Sequence, residues 1–197
     1  MAREEFEPHH KNKPHWHKEH RGEHRFPVAA VVLIVILLQS FLPAELSLSF
    51  QGPITILEAV LLLTLLVIAP RRIHQHHIPQ RALSLILTGV MTLSNTASAV
   101  KLIGHLVDGK ANDGLKLLAS GGSIWLTNIV IFALWYWEFD RGGPGARAEA
   151  LRRYPDFLFP QMSDEHFSNA HWHPNFFDYL YTSFTNASAF SPTDVLP

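Results

Sequence analysis

Four apolar blocks, residues 26–42, 54–69, 82–103 and 117–137, constrain this chain more than any other feature. Crossing about 30 Å of hydrocarbon takes roughly 20 apolar residues in a helix. At that depth only helices or closed barrels satisfy every backbone polar group. The blocks are too long for barrel strands and are separated by breakers: Pro43, the pair Gly52-Pro53, Pro70 and the Gly/Asn/Asp turn before residue 117. The expected fold is therefore all-α, a multi-pass helical membrane bundle of four transmembrane helices. Its bounding partner is the lipid bilayer and its location the cell membrane.

The blocks differ in kind. The first is nearly pure Val, Ile and Leu between residues 28 and 38, and the second is short, about 24 Å at 1.5 Å per residue. The third carries Ser84, Thr88, Thr92, Asn95 and Thr96 at spacings of three and four, which puts them on one helix face. The fourth opens on the small cluster Ser120-Gly121-Gly122-Ser123 and closes on Trp135-Tyr136-Trp137, an interfacial aromatic belt. Outside the blocks lie a charged, His-rich segment at 1–25, read as a disordered cytoplasmic tail, and a polar segment at 138–175. Within the latter, residues 146–153 are expected to form a short surface helix, and Gly142-Gly143-Pro144 a turn.

Lys and Arg placement sets the orientation. The tail, the 71–81 turn and the 138–174 segment hold thirteen of the 16 basic residues, and the opposite side holds Lys101, Lys110 and Lys116. The positive-inside rule then makes the N-terminus cytoplasmic. The absence of cysteine excludes disulfides, thiol catalysis and thiolate metal sites, and a formal net charge of −1 gives no electrostatic case for nucleic acid. No Ser-His-Asp spacing, phosphate-cradling glycine loop or dinucleotide fingerprint occurs. Neither an enzyme nor a cofactor is expected.

Two constellations carry chemistry. Glu58 is a carboxylate inside the second block, with Asn95 and Asn128 as facing candidates on the third and fourth. An intramembrane ionisable group is by default a functional-site hypothesis. With Thr88, Thr92 and Thr127 these residues can line a polar seam for a proton or small solute, or simply bond helix to helix. The histidines, 13 in all, fall almost entirely on the expected cytoplasmic side. His9, His10, His15 and His17 in the tail, with His171 and His173 before the last stretch, form the candidate metal set, since imidazoles bind Zn, Ni or Cu and titrate near neutral pH. A membrane-anchored metal- or pH-sensing or structural protein is the reading they support.

The last stretch, residues 176–197, reads FFDYLYTSFTNASAFSPTDVLP. It is too short and too polar to span, so it is expected to form a C-terminal re-entrant or interfacial half-helix. The whole string resembles uncharacterised multi-pass bacterial integral membrane proteins. Residues 183–197 resemble the pore helix and filter loop of potassium channels, with a Ser-Phe start, a hydroxyl-rich lead and an Asp three residues before a Pro. Where that family carries Gly-Tyr-Gly, this chain has Ser191-Pro192-Thr193. Pro192 fixes φ near −65°, so a carbonyl filter of the known geometry is not expected. The resemblance implies a channel- or transport-like subunit with a degenerate pore loop, whose pore-like residues are Thr185, Asn186, Ser188 and Asp194. A loop that follows a cytoplasmic segment enters from the side opposite to that of a potassium channel. One half-helix per chain makes a pore only in a homo-oligomer, and the resemblance also implies that the chain continues past Pro197 into another spanning helix.

Overall fold

The computed structural model describes residues 15–68, 72–73, 77–109, 113–163 and 172–188. It is an all-α bundle whose long helices run up and down: α1 Arg25–Ser40, α2 Gln51–Ile68, α3 Ile78–Val107 and α4 Gly114–Phe139. A one-turn 3-10 segment Asp140–Gly142, two short helices, α5 Pro144–Ala148 and α6 Pro160–Ser163, and the half-helix α7 Phe176–Ala187 follow. Three helical stretches are long and apolar enough to cross a membrane: Gln51–Ile68, Ile78–Val107 and Gly114–Gly142. Of the four expected spans, α1 falls short at 16 residues, about 24 Å. It begins at the buried Arg25 and stops three residues before Pro43, so its apolar run cannot extend at either end.

Local sequence explains the ends. Asp113 caps α4, its Oδ1 accepting from the backbone N–H groups of Leu115 and Lys116 at 3.1 Å. Pro79 sits in the first turn of α3, where no amide hydrogen is needed, and Gly109, at φ +65°, follows its last turn. Asn175 and Asp178 form a capping box on α7. Phe177 N–H donates to Asn175 Oδ1 at 3.0 Å and Asn175 N–H donates to Asp178 Oδ2 at 2.8 Å.

Val32, Val35 and Ile36 of α1, Leu65 of α2, Leu87 and Met91 of α3, and Ile131, Leu134 and Trp137 of α4 make one core. Outward positions such as Leu63, Val67, Leu93, Val100 and Phe132 stay exposed and apolar. That is the pattern of helices whose outer faces meet lipid rather than water.

The segment expected to be a free tail is, from residue 15 on, docked against the bundle. Glu23–His24 pairs antiparallel with Arg72–Ile73, and His20 N–H donates to Ala148 O at 3.1 Å. The cause is electrostatic: Glu23 is buried against Arg147, 2.7 Å away. Residues 146–153 likewise differ from expectation. The helix there is Pro144–Ala148 and it is wholly buried, because Arg147 must reach inward to its partners. Residues 16–24, the 72–73 strand and the segment directly after α4 therefore lie at one end of the bundle.

Candidate functional site

At the docked end Glu23, Asp140, Arg147 and Tyr179 are paired. Arg147 is 2% exposed and spends its donors on Glu23 Oε1 (2.7 and 3.3 Å), Trp137 O (2.6 Å) and Asp140 O (3.0 Å). Glu23 Oε2 accepts from the Trp137 indole at 2.6 Å. Asp140 accepts from Tyr179 Oη at 2.5 Å and from Asp156 N–H at 2.9 Å. Arg141 adopts φ 52°, a left-handed conformation, and its guanidinium lies 3.5 Å from Asp140 while donating to Trp16 O at 3.1 Å. Burial pushes the Tyr179 hydroxyl well above its ordinary pKa, so it stays a donor to Asp140 at any working pH.

Between this cluster and the bundle interior stand Arg25, Arg81, Ser84 and Glu138. Arg25 Nη1 donates to Leu65 O at 2.6 Å, and Gln80, with its amide oxygen facing the guanidinium, accepts from Arg25 at 3.0 and 3.2 Å. Ser84 donates to Glu138 Oε1 at 2.5 Å. Glu138 Oε2 is buried without a hydrogen-bond partner and lies 4.0 Å from Arg81 Nε. Gly143, at φ +96°, covers this pair closely: a Cβ there would meet both Glu138 O and Oε2 at 3.2 Å.

Deeper in the bundle the pattern reverses. Glu58 is fully buried, and neither of its oxygens has a hydrogen-bond partner among the described residues. The same holds for the whole Gln39 amide on α1, Asn95 Oδ1 on α3 and Thr127 Oγ1 on α4. Asn95 Nδ2 donates to Ile124 O at 3.3 Å. Gln51 and Ser94 meet at 3.5 Å one residue from Asn95, and seven α2 residues, about 10 Å, separate that level from Glu58. Glu58, Asn95 and Asn128 are therefore not brought into one contact. Asn128 is half-buried, and the position turned fully inward is its neighbour Thr127. Thr88 and Thr92 return their hydroxyls to carbonyls four residues back, and Thr92 also accepts from the Trp135 indole at 3.1 Å.

α7 lies along α4. Tyr179 meets Asp140 just beyond the end of α4, Ser183 Oγ donates to Ile129 O at 2.7 Å, and Phe184 meets Trp125 edge to face at 6.2 Å. The half-helix therefore runs antiparallel to α4, from its C-terminal end to its middle, over about 18 Å. Thr182, Ser183 and Thr185 are buried, and Thr185 bonds its own helix at Tyr181 O and Thr182 O. Asn186 is exposed, and Ser188 is half-buried with a hydroxyl that has no partner among the described residues. Asp194 lies outside the described residues.

Of the histidine set, His9, His10 and His171 lie outside the described residues, as does the side chain of His15. His17 is buried beside Trp16, 5.8 Å between ring centroids, and His173 stacks on His20 at 3.9 Å. Among the described residues no group of three or more His, Cys, Asp or Glu is placed to hold a metal ion.

Sequence reasoning did not single out Gln39, Glu138 or Arg25. Gln39 carried a signal, as an amide near the end of a Val/Ile/Leu run; Glu138 and Arg25 read as the polar flanks of their blocks. Comparisons with family models, curated proteins and solved structures gave no match.

Proposed function

We propose that the chain is a channel- or transport-like subunit of the cell membrane, with a cytoplasmic N-terminus, α1 completing a four-span bundle, and α7 as a re-entrant half-helix. The path of α7 carries this reading. It leaves the level of Asp140 and ends beside Trp125, the middle of a helix long enough to span. A helix of 12 residues cannot cross a bilayer, and a half-helix is tolerated at depth where protein or a wet cavity covers its end. The exposed Asn186 and the unpartnered Ser188 hydroxyl lie at that end. Several copies around an axis would bring these ends together.

The absence of native cysteine permits a direct test. Single cysteines at Asn186 and Phe177 are challenged with a membrane-impermeant maleimide in right-side-out and inverted vesicles, alongside potassium, sodium and proton flux into proteoliposomes. Re-entry predicts labelling of position 177 from the cytoplasmic side only, slow labelling of 186, and flux reduced by Asn186→Ala and Asp194→Ala. Fast labelling of 186 in bulk water with no flux would remove the reading.

A further inference from the structure

The paired end of the bundle is not sealed. A small cleft of about 20 Å³ opens there among Arg25, His77, Gln80, Arg81, Ser84 and Glu138. A second, also of about 20 Å³, lies deeper between α1, α2, α3 and α4, with Val32, Leu62, Thr88 and Leu134 in its wall. Both are lined by Arg25 and Ser84, so these two side chains are the partition between them. Leu62 lies one helical turn from Glu58 and on the same face of α2. Leu65, bonded to Arg25, lies seven residues from Glu58, about 10 Å. The sequence of polar stations inward is thus Glu138 with Ser84, then Thr88, then Glu58, and beyond it Asn95, Thr127 and Gln39.

We infer that Glu58 is a proton-binding site approached from the Arg25 end through these two clefts, the second of which stops at Leu62, one helical turn short of the carboxylate, with Glu138 at the mouth of the route. This deepens the transport-like reading and rests on it for its physiological use, naming the proton as the transported species. The chemistry of the site selects for a proton. Among the described residues no cation lies beside this fully buried carboxylate, whose two oxygens are both unpartnered. Glu58 is the sole ionisable residue of α2. On α1, packed against it, the sole ionisable residue is Arg25, about 10 Å away. On α3 these are Arg81, Lys101 and His105, and α4 adds Lys116, Tyr136 and Glu138. Lys101 is bonded to Ser47 O, Lys116 pairs with Glu45 at 3.5 Å, and Arg81 lies by Glu138. None of these cations neutralises Glu58, whereas a proton does so without needing further ligands. A metal ion would require several oxygen ligands converging at one point, and the neighbouring polar groups are instead spread over about 10 Å of depth. In the step itself a hydronium ion arriving by the clefts breaks one of its O–H bonds and passes the proton to a Glu58 oxygen, forming the carboxyl O–H and leaving a water molecule. The reverse transfer restores the carboxylate.

The test uses the full chain in proteoliposomes and two readouts. Infrared difference spectra between acid and alkaline buffer, wild type minus Glu58→Gln, are expected to show a protonated-carboxyl band that responds to bulk pH. Ala29→Phe, which fills the second cleft, should keep the band and slow its response at least tenfold. Potential-driven proton uptake should fall at least tenfold in Glu58→Gln and several-fold in Glu138→Gln. A Glu58 band indifferent to bulk pH overturns the inference, even with potassium or sodium flux intact, in which case the transport reading survives alone. A responding band slowed by Ala29→Phe, with no flux of any ion, keeps the proton site and removes the transport reading.

Discussion

Two polar regions of this bundle invite comparison. At the docked end, Glu23, Asp140, Arg147 and Tyr179 are as buried as any core residue and partnered throughout. A few turns deeper, Gln39, Glu58, Asn95 and Thr127 are equally buried and leave oxygens or nitrogens without partners. Pairing repays much of the cost of desolvation, and an unpaired group repays none of it. The first region therefore reads as architecture: it ties residues 16–24, the end of α4, α5 and α7 into one body. The second is a standing cost, which persists where a function needs the group.

The contrast is sharpest at Arg147 and should break there first. Arg147→Ala strands Glu23 in the interior and leaves Trp137 O and Asp140 O without their donor. Removing one partner of a buried pair costs about 3–5 kcal/mol. The expected outcome is a loss of that size in unfolding measured in mild detergent, with residues 15–24 released to protease. A loss below about 1 kcal/mol would mean that the cluster is not what docks the segment.

Glu58 should behave in the opposite sense. Glu58→Leu removes an unpaired polar group from the interior and is expected to stabilise the bundle by about 1–3 kcal/mol, while abolishing proton uptake. Destabilisation by this change would show that Glu58 has an energetic partner, and the comparison would lose its second term.

Much of this arrangement was legible in the sequence, for local reasons. Apolar runs and the prolines between them place the helices, and a lone carboxylate in such a run marks itself, which is how Glu58 stands out. The aromatic, hydroxyl-rich run from residue 176 likewise marks α7, whose Asn175–Asp178 capping box the structure adds. What could not be read is long-range. Arg147 and Glu23 are 124 positions apart, and nothing near either residue says that they meet. A charged, His-rich stretch looks solvated until a buried arginine elsewhere claims its glutamate. Asn128 shows a finer limit. Successive helical residues are about 100° apart, so Thr127 takes the inward position that chemistry alone would give to the asparagine.

Tyr179→Phe probes the joint between the paired end and α7 more gently. It deletes the 2.5 Å hydroxyl contact but leaves Asp140 its bonds to Asp156 N–H and its ion pair with Arg141. A cost of about 1–3 kcal/mol is expected, with α7 still in place. Loss of the Trp125–Phe184 contact, read as a change in tryptophan fluorescence, would instead make Tyr179 the hinge on which the half-helix depends.

The smallest effect is one of pH, at the edge of the paired region. His20 stacks on His173 with ring planes 19° apart, and its Nδ1 accepts from Gly22 N–H at 3.1 Å. Its pKa is lowered from 6.5 to about 4, by burial first and then by His173, Arg147 and Arg141. Between those values the undocked segment binds a proton that the docked one does not. Docking is therefore at full strength above pH ~6.5, weakens as pH falls towards ~4, and loses nothing further from this group below it. Because His20 is only half-buried, solvent screening keeps the change well short of that at Arg147. Protease sensitivity of residues 15–24 should rise across this window in the wild type and stay flat in His20→Phe, which keeps the stacking surface but cannot titrate. An equal rise in both would move the proton to another group of the cluster, and the paired end would then be less fully satisfied than its geometry implies.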